Sequence, residues 1–144
     1  TKYWRVFAQL VENGIITKQQ KIYAPSICER VYLNEVIGIF HLFYLNYSIY
    51  ISWCVEIPIF FLPAWLLRAR VLNPMLRATK GSIVGGWMAM EKGWAINLSG
   101  GYHHASANKG GGFCIYADIS LSIHFVWKFY PKVKKVMIID LDAH

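Results

Sequence analysis

Cysteine is scarce in this chain of 144 residues. The three cysteines, Cys28, Cys54 and Cys114, are widely spaced and form no Cys-x-x-Cys pair. An odd and dispersed set argues against a disulfide framework and fits a reducing compartment. Although Cys114 lies beside a glycine-rich stretch, we expect it to be a buried structural thiol rather than a nucleophile.

Charge is also scarce, and acidic charge most of all. Only 16% of the residues are charged, and 15 basic against 8 acidic side chains give a formal net charge of +7. The basic residues are scattered, without zinc-finger spacing or a basic helix suited to reading bases, so we expect a solvated basic surface and no direct binding to nucleic acid. The residues concerned are Arg68, Arg70, Arg77, Lys80, Lys132, Lys134 and Lys135.

No secretory signal opens the sequence, because the first ten residues lack a basic region followed by an apolar core. Apolar residues make up 56% of the chain and aromatic residues 16%, which predicts a folded domain rather than a disordered tail. The chain has no initiator Met and stops at His144. We therefore expect a piece of a longer protein, truncated at both ends.

Residues 36–55 form a run of twenty residues without a formal charge. The length suits a membrane span, but Tyr, Ile and Phe favour strands and the flanks carry no positive-inside signal. A buried strand or a misassembled stretch of sequence is the favoured interpretation. Membrane association through this run stays open as the less favoured alternative.

Periodicity and turn residues predict the remaining elements. Helices are expected from Tyr3 to Glu12, from Pro74 to about Glu91, and from Phe113 to Tyr130, and residues 57–67 as an extended loop with a short turn. Strands are expected at 21–24, 94–98 and 135–140. The last two strands are joined through a helix, which predicts a parallel pair with a right-handed crossover and hence an α/β fold.

Polar clusters follow both of these strands: His103 and His104 after one, and Asp140, Asp142 and His144 at the end of the other. Ligands of open α/β sheets bind at the carboxyl ends of the strands, so the clusters are expected to converge. In an extended chain the alternate residues of Asp-x-Asp-x-His point one way and could hold a divalent metal. The alternatives are a solvated acidic turn and two neighbouring loop histidines without a shared role.

Gly110, Gly111 and Gly112 lack the spacing of either phosphate-binding glycine motif. Close backbone approach to a ligand is the other interpretation, with Phe113 supplying an apolar wall. His41 and His124 lie in apolar runs and are expected to be structural.

The stretch GWAINLSGGYHHASANKGGGFCIYAD at 93–118, followed by IIDLDAH at 138–144, resembles the catalytic core of histone deacetylases. GGGFC with YAD, and DLDAH, look most like class IV, the histone deacetylase 11 type. The resemblance implies the three-layer αβα arginase/deacetylase fold with a parallel sheet, here incomplete. It implies that residues 1–144 are a partial catalytic domain, best matched over 56–144, with 36–55 as an atypical apolar insert.

The same resemblance implies roles by position. His104 is the expected general base and acid, and His103, paired with Asp140, is the expected electrostatic partner. Asp142 and His144 are the expected zinc ligands, backbone oxygens of the same turn would help to hold a structural K⁺ ion, and Gly112 and Phe113 would line an acyl-lysine tunnel. Zinc would polarise the amide carbonyl and activate water, and an imidazole would take its proton.

The implied activity is zinc-dependent hydrolysis of acyl groups from lysine side chains, with long fatty-acyl groups as well as acetyl. The implied partners are acyl-lysine proteins such as histones, and the implied setting is chromatin regulation in the nucleus or the cytoplasm. In the family a third zinc ligand, an Asp, and a Tyr that stabilises the oxyanion come from later sequence. The rival hypothesis is therefore a catalytically inactive fragment or isoform that only binds partners.

Overall fold

The structure is a computed structural model that describes residues 2–17 and 22–143. In these ranges the regular elements are all helical. They are α1 (Lys2–Glu12), α2 (Arg30–Leu33), α3 (Ile39–Tyr44), α4 (Ser48–Val55), α5 (Ala64–Leu67), a π-helical turn (Arg68–Leu72), α6 (Asn73–Lys92) and α7 (Asp118–Phe129).

The core lies where α6 and α7 pack against each other and against the shorter helices. Ser122 of α7 donates a hydrogen bond to the carbonyl oxygen of Ser82 of α6 at 2.8 Å, which links the two long helices directly. Apolar side chains from nearly every helix are buried around this pair, and burial of that kind is the main favourable term in folding. The largest fully buried apolar side chains are Ile51, Leu67, Ile115 and Leu121.

Two predicted helices are confirmed. The first runs from Lys2 to Glu12, and the second begins at Asn73, one residue before Pro74, and ends at Lys92 with Gly93 as its C-cap. Proline is tolerated in a first helical turn because its missing N–H would have no helical acceptor there. The second helix also contains three glycines, whose helix propensity is low. Its packing on α7 outweighs this effect.

The third predicted helix is shorter than expected. It was predicted from Phe113, but α7 begins at Asp118. Phe113 has a φ of 62°, which lies in the left-handed region and cannot continue a right-handed helix. Gly111 and Cys114 pair instead as an isolated antiparallel bridge, so the residues before Asp118 form a tight turn.

The buried strand predicted in residues 36–55 is wrong, because the run forms α3 and α4 with a turn between them. A strand needs a neighbouring strand for its backbone hydrogen bonds, whereas a helix satisfies them within the segment. His41 anchors α3 because its Nε2 lies 2.9 Å from the carbonyl oxygen of Ile115 and its Nδ1 lies 2.7 Å from the hydroxyl of Tyr50. Within residues 2–17 and 22–143, no helix combines the length and apolar character needed to cross a bilayer.

The predicted three-layer αβα fold with a parallel sheet is also wrong for the described residues. They contain no strand, and the sheet elements expected at 94–98 and 135–140 have no regular secondary structure. Residues 22–24 are not a strand either, while Lys21 lies outside the described residues. The two apolar segments do not pair, and most of their large apolar side chains are exposed, with Ile96 72% and Met137 80% exposed. These apolar runs have a high strand propensity, but neither has the neighbouring strand with which a sheet would form.

Candidate active site

A hydrogen bond joins the two polar clusters of the sequence. His103 Nδ1 lies 2.7 Å from Asp140 Oδ2, and the rings of His103 and His104 lie with their centroids 4.1 Å apart. A carboxylate can only accept, so Nδ1 carries the proton and donates it to Asp140. The clusters thus lie together, although no sheet edge brings them there.

Asp140 is itself held in place from the chain that follows it. The N–H of Asp142 donates to Asp140 Oδ1 at 3.0 Å, and the imidazole of His103 bonds its other oxygen. The bond from the Asp142 N–H, and to a lesser extent the bond from His103, hold the pKa of the Asp140 carboxyl below its usual value, because both stabilise the charged form. Asp140 is therefore an anion across the neutral pH range.

The loop before the histidines is fixed by a fully buried carboxylate. Asp118, the first residue of α7, accepts hydrogen bonds from the N–H groups of Gly101 and Tyr102, both at 2.8 Å, and from the hydroxyl of Ser82. Gly100 passes so close that an added Cβ would lie 2.7 Å from Asp118 Oδ2. The packed α6–α7 pair thereby positions the turn that leads into His103.

Gly112 lies directly against the ring of His104. An added Cβ would come within 2.5 Å of His104 Cδ2, and the φ of 53° at Gly112 is one that only glycine adopts readily. The Gly112 N–H donates to Glu56 Oε1 at 2.9 Å. The end of α4 is therefore tied to the glycine-rich loop at the point where that loop contacts His104.

A cavity of about 1010 Å³ opens beside these groups. Of the predicted site residues, His103, His104, Gly112, Phe113 and Asp142 line it, and Asp140 reaches it through its bond to His103. The wall also carries two basic side chains, Arg70 and Arg77. Three further residues on the wall were not predicted to belong to the site, namely Tyr3, Glu56 and Tyr102.

The structure describes only one of the two predicted zinc ligands. Asp142 lies on the cavity wall, but His144 lies outside the described residues. The residues at 2–17 and 22–143 hold no group of three His, Cys, Asp or Glu side chains arranged to bind a metal. A carboxylate beside imidazoles is a donor set that suits zinc, yet the described residues alone do not complete a three-ligand site.

One of the thiols, Cys114, lies on the cavity wall. Cys28, Cys54 and Cys114 are all buried, and for each of them burial raises the pKa, to about 11 for Cys28 and Cys54. A raised pKa suppresses the thiolate, which is the reactive form. The expectation that Cys114 is structural agrees with its burial.

Asp118 and Glu56 organise this site, and neither was predicted from the sequence to do so. Asp118 was quoted only as part of a motif, since an acidic residue in the first turn of a helix ordinarily stabilises the helix dipole. Glu56 is the single formal charge in residues 36–67, and that isolation in an apolar run was the available signal.

Comparison with known proteins gives the family. The histone deacetylase domain matches residues 51–144. The chain belongs to the histone deacetylase family. Over its full length it is 39% identical to a protein of Arabidopsis thaliana named histone deacetylase 2, of which it covers 37%. The predicted class IV placement within this family remains a prediction.

Two further family relatives are bacterial. An uncharacterized protein of Picosynechococcus is 28% identical over 99% of the chain, and the match covers 45% of that protein. The acetoin utilization protein AcuC of Staphylococcus aureus is 41% identical over 70 residues, which are 44% of this chain and 18% of that protein. The chain thus spans less than half the length of these curated relatives.

Proposed function

We propose that this chain supplies the histidine pair and part of the cavity of a lysine deacylase, which hydrolyses the amide bond of an acyl-lysine side chain. The observation that carries the proposal is the hydrogen bond of 2.7 Å between His103 and Asp140 at the edge of a cavity that His104 also lines. Membership of the histone deacetylase family supports the same reaction. Acyl-lysine proteins such as histones are the proposed substrates.

His104 is proposed as the general base and acid. His104 is exposed and lies on the cavity wall against Gly112, so its ring is accessible to a ligand in the cavity. Imidazole exchanges protons near neutral pH, which suits removal of a proton from water and its delivery to the leaving lysine amine. His103, whose Nδ1 proton is committed to Asp140, is proposed to stabilise the charge that develops nearby.

Asp142 and His144 are proposed as zinc ligands contributed by this chain. In such a site the metal supplies Lewis acidity toward the amide carbonyl and lowers the pKa of bound water. Asp142 is supported by its place on the cavity wall beside the histidines. A structural K⁺ ion near the same turn is proposed from the family resemblance alone.

Gly112 and Phe113 are proposed to form the narrow wall around the acyl-lysine. Phe113 is about half exposed and lines the cavity, so its ring is available to an aliphatic chain. Long fatty-acyl groups in addition to acetyl, the class IV placement, a role in chromatin regulation, and a nuclear or cytoplasmic location are extensions of this proposal that follow the resemblance.

The test is deacylation of acetyl-lysine and myristoyl-lysine peptides by the purified chain, with and without a zinc chelator. Because the family resemblance places a third zinc ligand and the oxyanion Tyr in later sequence, we expect activity in a version of the protein extended past His144. The chelator should remove this activity, His104→Ala should abolish it and His124→Ala should preserve it, since His124 pairs with Glu35 and does not line the cavity. Activity that survives both the chelator and His104→Ala would contradict the proposal.

Zinc content of the same samples separates the rival hypothesis of an inactive fragment. The proposal expects zinc to be retained and Asp142→Ala to reduce its affinity by more than tenfold, because two-ligand sites hold zinc poorly when one ligand is lost. A chain that binds no zinc and hydrolyses neither peptide would favour the fragment that only binds partners.

A further inference from the structure

A continuous aromatic cluster lies on the surface of α3, α4 and the turn between them. Its neighbouring rings have centroids between 5.6 and 5.8 Å apart, and they surround a shallow cavity of about 460 Å³ together with Ile49. We call this cluster the aromatic face. It consists of Phe43, Tyr44, Tyr47, Tyr50 and Trp53.

The aromatic face is open to solvent. Phe43, Tyr44 and Tyr47 are each about half exposed and Trp53 is 58% exposed, while Phe40 on the neighbouring turn of α3 is 74% exposed. Contiguous apolar surface of this kind is unusual on a free protein and marks an interaction site. Tyr and Trp have a further property, an apolar ring with one polar atom, that favours a boundary between water and an apolar phase.

The sequence that forms and follows the aromatic face carries little acidic charge. The single acidic residue in 36–70, Glu56, has its carboxylate engaged by the N–H of Gly112. Arg68 is exposed and donates to Asn46 Oδ1 at 2.6 Å, which places its guanidinium beside the turn between Tyr44 and Tyr47. The chain as a whole carries a net charge of +7.

We propose that the aromatic face binds the surface of an anionic lipid bilayer. Aromatic rings that seat at headgroup level and arginines that meet anionic lipids are the two components of interfacial binding. The helices of this region have six and eight residues, so they can lie in the interface but cannot cross it. The proposal is independent of the deacylase proposal, because it involves no residue assigned there.

The test is cosedimentation of the purified chain with vesicles of phosphatidylcholine containing about 30 mol% phosphatidylserine, compared with pure phosphatidylcholine. We expect binding to the anionic vesicles that weakens as salt is raised. The double variant Phe43→Ala with Trp53→Ala should reduce partitioning about tenfold, because two exposed rings of the aromatic face lose their apolar contact. Trp94→Ala is the matched control, since Trp94 is 69% exposed and lies outside residues 36–70.

Arg68 tests the electrostatic part. One basic residue near an anionic surface contributes ~1 kcal/mol, so Arg68→Gln should weaken partitioning about fivefold and Arg68→Lys should preserve it. Equal binding to neutral and anionic vesicles would overturn the proposal, as would equal loss in the Trp94 control. Absence of vesicle binding, together with dimers in sedimentation velocity that the Phe43/Trp53 variant abolishes, would assign the aromatic face to a second copy of the chain instead.

Discussion

Removal of the Asp118 carboxylate should be among the most damaging single changes to this chain. Asp118 is fully buried and accepts three hydrogen bonds, from Ser82, Gly101 and Tyr102. A hydrogen bond to a charged group contributes about 1.5–3 kcal/mol, and a buried donor left without an acceptor costs about 1–3 kcal/mol. Such terms are not additive, so we expect Asp118→Ala to lower the free energy of unfolding by roughly 3–5 kcal/mol.

Urea denaturation followed by tryptophan fluorescence measures this change. Ser82→Ala removes one of the three donors together with its own polar group, so it should cost only about 1 kcal/mol. Asp118→Asn keeps the shape but replaces one acceptor oxygen with a donor, which then faces a donor, and should fall between the two. A midpoint for Asp118→Ala equal to that of Ser82→Ala would refute the reasoning, because it would mean that the backbone N–H groups find other acceptors.

Three further outcomes are expected. Gly112→Ala should destabilise the chain by about 1–3 kcal/mol and displace the His104 ring, because the new Cβ would overlap it, whereas Gly111→Ala should have little effect since nothing lies within 4 Å of its Cβ position. Burial lowers the pKa of His41 below 6.5, so the unfolded chain binds the proton more readily and the free energy of unfolding should fall as the pH drops below about 6.5. This slope should be smaller in His41→Gln, and an equal slope would contradict it. Thiol titration with an aromatic disulfide reagent at pH 8 should be slow in the native chain and rapid in urea, and fast native labelling would contradict the burial of Cys28, Cys54 and Cys114.

A helix was predicted correctly where residues in the sequence mark both its start and its end. The helix that begins at Asn73 carries its own start and stop, with Pro74 in the first turn and Gly93 as the C-cap, and its packing only reinforces them. Residues 36–55 have no such start and stop residues. Its Tyr and Ile residues favour strands in general, but strand propensity is expressed only where a neighbouring strand is present.

The candidate site was predictable in composition but not in geometry. The two polar clusters could be identified from residue types and from the family resemblance, whereas the reason offered for their meeting, the edge of a parallel sheet, was wrong. They meet because the carboxylate of Asp118 fixes the turn before His103, and because Asp140 bonds that ring. A buried carboxylate that acts on backbone N–H groups leaves no sequence pattern beyond one acidic residue at a helix start.

The unpaired segment at 136–141 has a consequence for the behaviour of the chain in concentrated solution. It presents Val, Met and Ile side chains to water with no proline and one carboxylate, Asp140, whose charge is engaged by His103. Short apolar segments of high β-propensity with free backbone groups are templates for intermolecular β-pairing. Each copy of the chain therefore offers others a segment for β-pairing, so loss of soluble protein should rise steeply with concentration.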